Sequence, residues 1–137
     1  MPTPNDETEL DALAAAFFDL FTLEEGGNVN LDSIHDMFAS EGVIVKAGPG
    51  EMVTYDVDSF VEPRLLLLNG GELTCFREEE VDGRTEISGK IAQRFSTYRK
   101  RGVLSGEPFE GLGTKFFQFV KFPAGWKIVA LVWEDEP

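Results

Sequence analysis

The sequence predicts an α+β fold in which three helices lead the chain and cover one face of a curved antiparallel sheet. Two observations carry this. Apolar residues recur at helical spacing before Gly71, and strand-like patterns take over after it. At 137 residues, with 42 % hydrophobic and 27 % charged residues, the chain has the size and balance of one globular domain spanning 1–137.

Pro2, Pro4 and Asn5 read as a short irregular arm, with Asn5 or Asp6 capping the first helix. In that helix Leu10, Leu13, Ala14, Phe17, Phe18 and Phe21 form an apolar stripe, and Gly26-Gly27 ends it. A shorter helix capped by Asn30 places Leu31, Ile34, His35 and Phe38 on one face. Val43-Ile44-Val45 and Met52–Tyr55 flank Gly48-Pro49-Gly50, which reads as a small hairpin. Asp56 or Asp58 caps a third helix that runs through Phe60 to Leu68, with Pro63 near its start and Asn69-Gly70-Gly71 at its end.

Four strands follow: Leu73–Val81, Thr85–Tyr98, about Thr114–Phe122, and Trp126–Trp133. Turns are expected at Asp82-Gly83 and Pro123-Ala124-Gly125. The register of the first hairpin stays open, because Glu78-Glu79-Glu80 fits several pairings. Ile87, Ile91 and Phe95 form one face of the second strand, and Arg94 and Tyr98 lie on the other. Gly89 in mid-strand marks a bulge or bend that curls the sheet into a cone with a cavity at its wide end.

Charge is unevenly spread. The chain carries 12 Lys plus Arg against 25 Asp plus Glu, a formal net charge of −13, and no base occurs before Lys46. Such a chain repels phosphate backbones and anionic lipid, so neither nucleic acid nor a membrane surface is an expected partner. The acidic front and the basic stretch of Arg84, Lys90, Arg94, Arg99, Lys100 and Arg101 can attract each other within one chain or between two, although solvated faces are the simpler expectation. A single Cys75 rules out an internal disulfide, and with the single His35 it makes no zinc cluster, so no metal or cofactor is expected. No apolar run has transmembrane length and the start lacks a basic signal-peptide region, which points to a cytoplasmic protein.

The succession resembles the NTF2-like superfamily and, within it, the SnoaL-like proteins. The likeness rests on "LAAAFFDLF", "LDSIHDMFASEGVIVKAGPG", "SFVEPRLLLLNGGELTCF", "EISGKIAQRFSTYRKRG" and "GLGTKFFQFVKFPAGWKIVALVWEDE". It implies an NTF2-like (cystatin-like) cone, with three N-terminal helices packed on a curved antiparallel sheet. Proteins of similar fold include ketosteroid isomerase, scytalone dehydratase, limonene epoxide hydrolase, polyketide cyclases and the nuclear transport factor. These shared patterns form a fold and contain no catalytic signature.

Within such a cone His35 is the candidate catalytic residue, a proton carrier for isomerisation, cyclisation or dehydration; the competing role is a hydrogen-bonded structural histidine. Gln93 and Gln118 each interrupt an apolar row and are assigned, with Phe17 and Phe38, to a pocket for a small organic ligand, a subunit contact being the alternative. At least one of Glu78, Glu79 and Glu80 is expected to point inward as a potential base, against a solvated acidic edge. Tyr55 and Tyr98 are hydroxyl donors or packing residues, and Cys75 a buried inert thiol. No convincing His–carboxylate pair is visible, so ligand binding without turnover ranks ahead of acid/base catalysis. The last two strands are apolar on both faces and helices cover only one, so a homodimer through the outer sheet face is expected.

Overall fold

The computed structural model describes residues 4–137. Pro2 of the expected arm lies outside them, and Pro4 and Asn5 already belong to the first helix, α1 (Pro4–Asp19). Proline suits a helix start, where its missing N–H removes no bond. Asp6 reaches the sheet and accepts hydrogen bonds from Lys121 Nζ at 2.7 Å and Trp126 Nε1 at 3.1 Å. The helix stops at Asp19, before the glycines, yet Phe21 and Leu23 remain buried beyond it. The Leu23 N–H donates to the Phe76 carbonyl at 2.8 Å, so pairing with the sheet takes over from helical bonding.

The second helix, α2, is a single turn, Ile34–Met37. Asn30 Oδ1 accepts from the Asp32 N–H at 2.8 Å, a local turn in place of a longer helix. Phe38 therefore opens the first strand, β1 (Phe38–Gly48), which pairs antiparallel with β2 (Val53–Tyr55). α3 (Val57–Asn69) begins with a reciprocal cap: Asp56 accepts from Ser59 N–H at 2.8 Å, while Ser59 Oγ accepts from Asp56 N–H at 3.0 Å.

The long strands are β3 (Leu73–Ser88), β4 (Ile91–Leu104), β5 (Glu107–Phe122) and β6 (Gly125–Asp135). The first hairpin turns at Gly89-Lys90 and not at Asp82-Gly83, since Ser88 pairs with Ile91 and Gly83 with Ser96. Gly89 has φ 61, the left-handed value that a two-residue hairpin opening on glycine requires. Ser105 and Gly106, at φ 50 and 84, close the next hairpin where a looser Gly/Pro loop was expected. Register shifts at Cys75-Phe76 and Val81 supply the bulges that bend β3, and Cys75, at φ 52, lies exposed on the first of them rather than buried.

The sheet order is β2-β1-β6-β5-β4-β3. β1 and β6 run parallel, with Ile44 opposite Leu131, which departs from the all-antiparallel expectation. No tight turn joins these two strands, so no hairpin geometry dictates their direction. α1 lies across the sheet, and Phe17 meets Phe38, Phe117 and Phe21 edge-on at centroid distances of 6.1, 5.5 and 5.2 Å.

The faces of β4 are the reverse of those expected. Ala92, Arg94, Ser96 and Tyr98 point towards the helices, while Ile91 and Phe95 point away. Arg94 is what holds this choice. It is 8 % exposed and donates to Glu80 at 2.7 and 3.0 Å, to Asp11 at 2.7 Å and to Thr85 at 2.6 Å. Attraction between the acidic front and the basic stretch thus operates within the chain through Asp11–Arg94, and Asp6 on the same front pairs with Lys121 of β5. In β6 a register shift beside Ile128 brings Trp126, Ile128, Leu131 and Trp133 all inward, where strict alternation would separate them. Among the described residues no helix is long and apolar enough to cross a membrane.

Candidate functional site

Curling of β3 to β6 around α1 and α3 leaves a cavity of about 320 Å³. Its apolar wall includes Phe17, Phe21, Phe60, Leu68, Leu73 and Leu131, with the more exposed Leu67 and Leu104 also lining it. Set into this wall are Arg64, Glu78, Lys100, Lys115 and Asp135. Convergent polar groups in an otherwise apolar concavity are the ordinary makeup of a small-molecule site.

Glu78 on β3 and Lys115 on β5 face each other at 3.0 Å, and their side chains are only 13 % and 6 % exposed. The Lys115 ammonium lies 4.1 Å from the centroid of the Tyr98 ring and 5.2 Å from that of Trp133, so aromatic faces share in holding the charge. Glu78 Oε1 is buried and lacks a hydrogen bond despite its proximity to Lys115, because the angle between the groups does not form one. That oxygen is shielded from the cavity space and is held by the charge of Lys115.

A second polar group flanks the first. The Tyr98 hydroxyl donates to Asp135 Oδ1, and Lys100 Nζ donates to Asp135 Oδ2 at 2.9 Å. Burial pushes the Asp135 carboxyl up, but the bonds from Tyr98 and Lys100 outweigh it and hold the group below the usual carboxylate range. Burial and then the bond to Asp135 raise the Tyr98 phenol, which stays protonated. Arg64 on α3 packs its guanidinium over Phe60, 4.0 Å from the ring centroid, and 5.2 Å from those of Tyr55 and Trp133. Burial lowers its pKa.

Of the residues singled out from sequence, Phe17 lines the cavity. Phe38 is buried beside Phe17 in the core and does not reach the cavity wall. His35 lies outside it altogether: its side chain is 52 % exposed, with Nε2 3.6 Å from an exposed Asp58 oxygen. The reason is local, since a one-turn helix gives no repeated face and Ile34 takes the inward direction. Gln93 and Gln118 are opposite each other on the outer sheet face, and Gln93 Nε2 donates to Glu86 at 2.8 Å. They line a hollow there with Ile91 and Val120, so their assignment to the cone cavity is withdrawn.

Glu78 was legible as one of three consecutive glutamates spanning both strand faces. Lys115 and Asp135 were missed, and strand alternation could have found them, because each lies two residues from a buried aromatic, Phe117 and Trp133. Arg64 had no comparable signal.

A bent sheet wrapped on helices around one cavity defines the NTF2-like, cystatin-like fold, and the chain has that fold. Solved structures similar to it over nearly its whole length include an NTF2-like protein of unknown function from Silicibacter pomeroyi, with 16 % identity and a TM-score of 0.67 over 99 % of this chain and 100 % of that one. A proposed dehydratase of the NTF2-like family from Streptomyces avermitilis aligns at 16 % identity and TM-score 0.73, covering 98 % of this chain and 99 % of the other. An NTF2-like protein with a cystatin-like fold from Novosphingobium aromaticivorans aligns at 15 % identity and TM-score 0.69, covering 95 % and 81 %. No protein-family model matches the sequence, and no curated protein matches it. At such identities the likeness establishes fold and leaves activity to be argued from the site.

Proposed function

We propose that this chain, taken over 1–137 as one SnoaL-like unit of the cytoplasm, binds a small, largely apolar organic molecule in its cone cavity. One observation carries the reading: a 320 Å³ apolar cavity whose wall holds the buried Glu78–Lys115 pair and the Arg64 guanidinium. Phe17, Phe60 and Leu131 cover the ligand's apolar body, while the polar groups of the wall orient its polar end. The test is a thermal-shift screen of small organic molecules against the native chain and Leu104→Trp. Leu104 is 44 % exposed on the cavity wall, so the larger ring fills space without disturbing a buried core. Hits that stabilise the native chain and lose their effect in Leu104→Trp support the site; hits unaffected by the substitution contradict it.

A second reading, acid/base turnover, rests on the Glu78 carboxylate in place of His35. A carboxylate facing an apolar cavity can take a proton from a bound substrate, and the adjacent Lys115 ammonium stabilises the negative charge that develops. The proposed dehydratase from Streptomyces avermitilis is a neighbour in fold that favours keeping this reading second. Glu78→Gln retaining ligand affinity with unchanged turnover of a bound compound would rule it out.

We also infer that two copies associate through the outer sheet face. Ile91, Phe95, Phe116 and Val132 are 61, 39, 46 and 39 % exposed there, and the Phe95 and Phe116 rings adjoin at 4.9 Å. An apolar patch of this kind favours coverage by another surface.

A further inference from the structure

Four cations face the cone cavity, Lys46, Arg64, Lys100 and Lys115, against two carboxylates, Glu78 and Asp135. The carboxylates are already matched: Lys115 lies 3.0 Å from Glu78 and Lys100 lies 2.9 Å from Asp135. Among the described residues Arg64 forms no ion pair, although the chain as a whole carries a net charge of −13. Its Nη1 donates to the Phe60 carbonyl at 3.1 Å, the Tyr55 side chain is a further hydrogen-bond partner, and Glu78 and Asp135 act on it only through their charge. A guanidinium has five N–H donors in a planar fork that matches a carboxylate, so these two contacts leave donors of the fork for a ligand.

Packing shows that the position is held and not incidental. The guanidinium is fixed over the Phe60 ring and flanked by Tyr55 and Trp133, which are themselves stacked at an interplanar angle of 10°. A side chain clamped in this way loses little further freedom on binding a ligand. The rest of the apolar wall joins Phe17, Phe21, Phe76 and Phe109 to leucines such as Leu73 and Leu131.

We infer that the ligand of the cone cavity is an aromatic monocarboxylic acid, its carboxylate held by the Arg64 fork and its ring lying against the phenylalanine wall. This rests on the proposed ligand-binding function and specifies the class of ligand. An excess of two cations in a partly dry cavity attracts one anion, and the volume limits that anion to a small molecule.

The test is a charge series on one scaffold, phenylpropionate, phenylpropionamide and phenylpropylamine, titrated by calorimetry at pH 7 into the native chain, Arg64→Gln and Arg64→Lys. Native protein should bind the acid at least about tenfold more tightly than the amide, the gain of one charge-assisted pair, and the amine more weakly still. Arg64→Gln should bring acid and amide to similar affinity. Arg64→Lys, which keeps the charge and loses the fork, should narrow the gap without closing it. If the native chain binds the amide or amine as tightly as the acid, Arg64 is not an anion anchor, while the cavity reading stands. A full acid preference surviving in either folded variant likewise overturns the assignment. Binding of none of the three by the native chain overturns this inference, while the thermal-shift screen alone decides the ligand-binding function.

Discussion

Glu78 and Lys115 meet at 3.0 Å from β3 and β5, reaching over β4, which lies between them in the sheet, and both side chains are nearly removed from water. Their meeting joins stability to the candidate site. Two charges withdrawn from solvent are tolerable together and costly apart.

Removing either partner should therefore destabilise strongly. Glu78→Leu or Lys115→Met alone is expected to cost about 3–5 kcal/mol, because each leaves an uncompensated buried charge. The double substitution should cost far less than the sum of the singles. Urea denaturation of the four proteins gives the coupling directly.

Acid should weaken the fold through two identifiable carboxylates. Burial raises Glu80, but the bonds from Arg94 and Ser96 outweigh it, and Glu80, like Asp135, titrates below its ordinary value in the folded chain. A depressed folded pKa contributes stability that is fully present above the unfolded value, about 4, and is lost as pH falls through the folded value. Stability should then decline steeply below about pH 4. Glu80→Gln should make the pH dependence shallower while lowering stability at pH 7.

Gly113 is set where only glycine fits. A Cβ there would lie 2.5 Å from Tyr98 Cζ, against the Tyr98 hydroxyl, and 2.8 Å from the Glu134 carbonyl oxygen. Gly113→Ala should push Tyr98 off Asp135 at a cost of about 1–3 kcal/mol, visible as a lowered melting temperature.

Substitution of His35 separates the structural site from the one expected at the outset. His35 is exposed and remote from the cavity wall, so His35→Ala should leave stability within about 0.5 kcal/mol of the native chain and ligand affinity unchanged. Phe116→Asp on the outer face should instead convert a dimer to a monomer by light scattering. A native chain that is already monomeric at micromolar concentration would contradict the dimer.

Local signals in the sequence translated well into structure where one residue type carries a specific geometric duty. Asp56, one of the two caps expected, marks the start of α3, Asn69-Gly70-Gly71 its end, and Pro123-Ala124 the last hairpin turn. What misled was the assumption that the more apolar face of a strand is the buried one. On β4 the buried row is Ala92, Arg94, Ser96 and Tyr98, because Arg94 finds carboxylates on α1 and β3 that no local pattern reveals. The apolar row of Ile91 and Phe95 was left outside, and Gln93 and Gln118 went with it. A similar long-range cause hid the site: Arg64, Lys115 and Asp135 come from α3, β5 and β6 and meet only once the sheet curls.

The two sides of the sheet can be told apart in a single measurement, ¹⁵N-edited NMR of the native chain titrated with phenylpropionate. Binding in the cone should move the Trp133 indole and the backbone amides of Leu73, Phe109 and Leu131, which line the cavity, and leave the side-chain amides of Gln93 and Gln118 unmoved. Shifts confined to Gln93, Gln118 and their outer-face neighbours, with Trp133 unchanged, would contradict the cone as the ligand site.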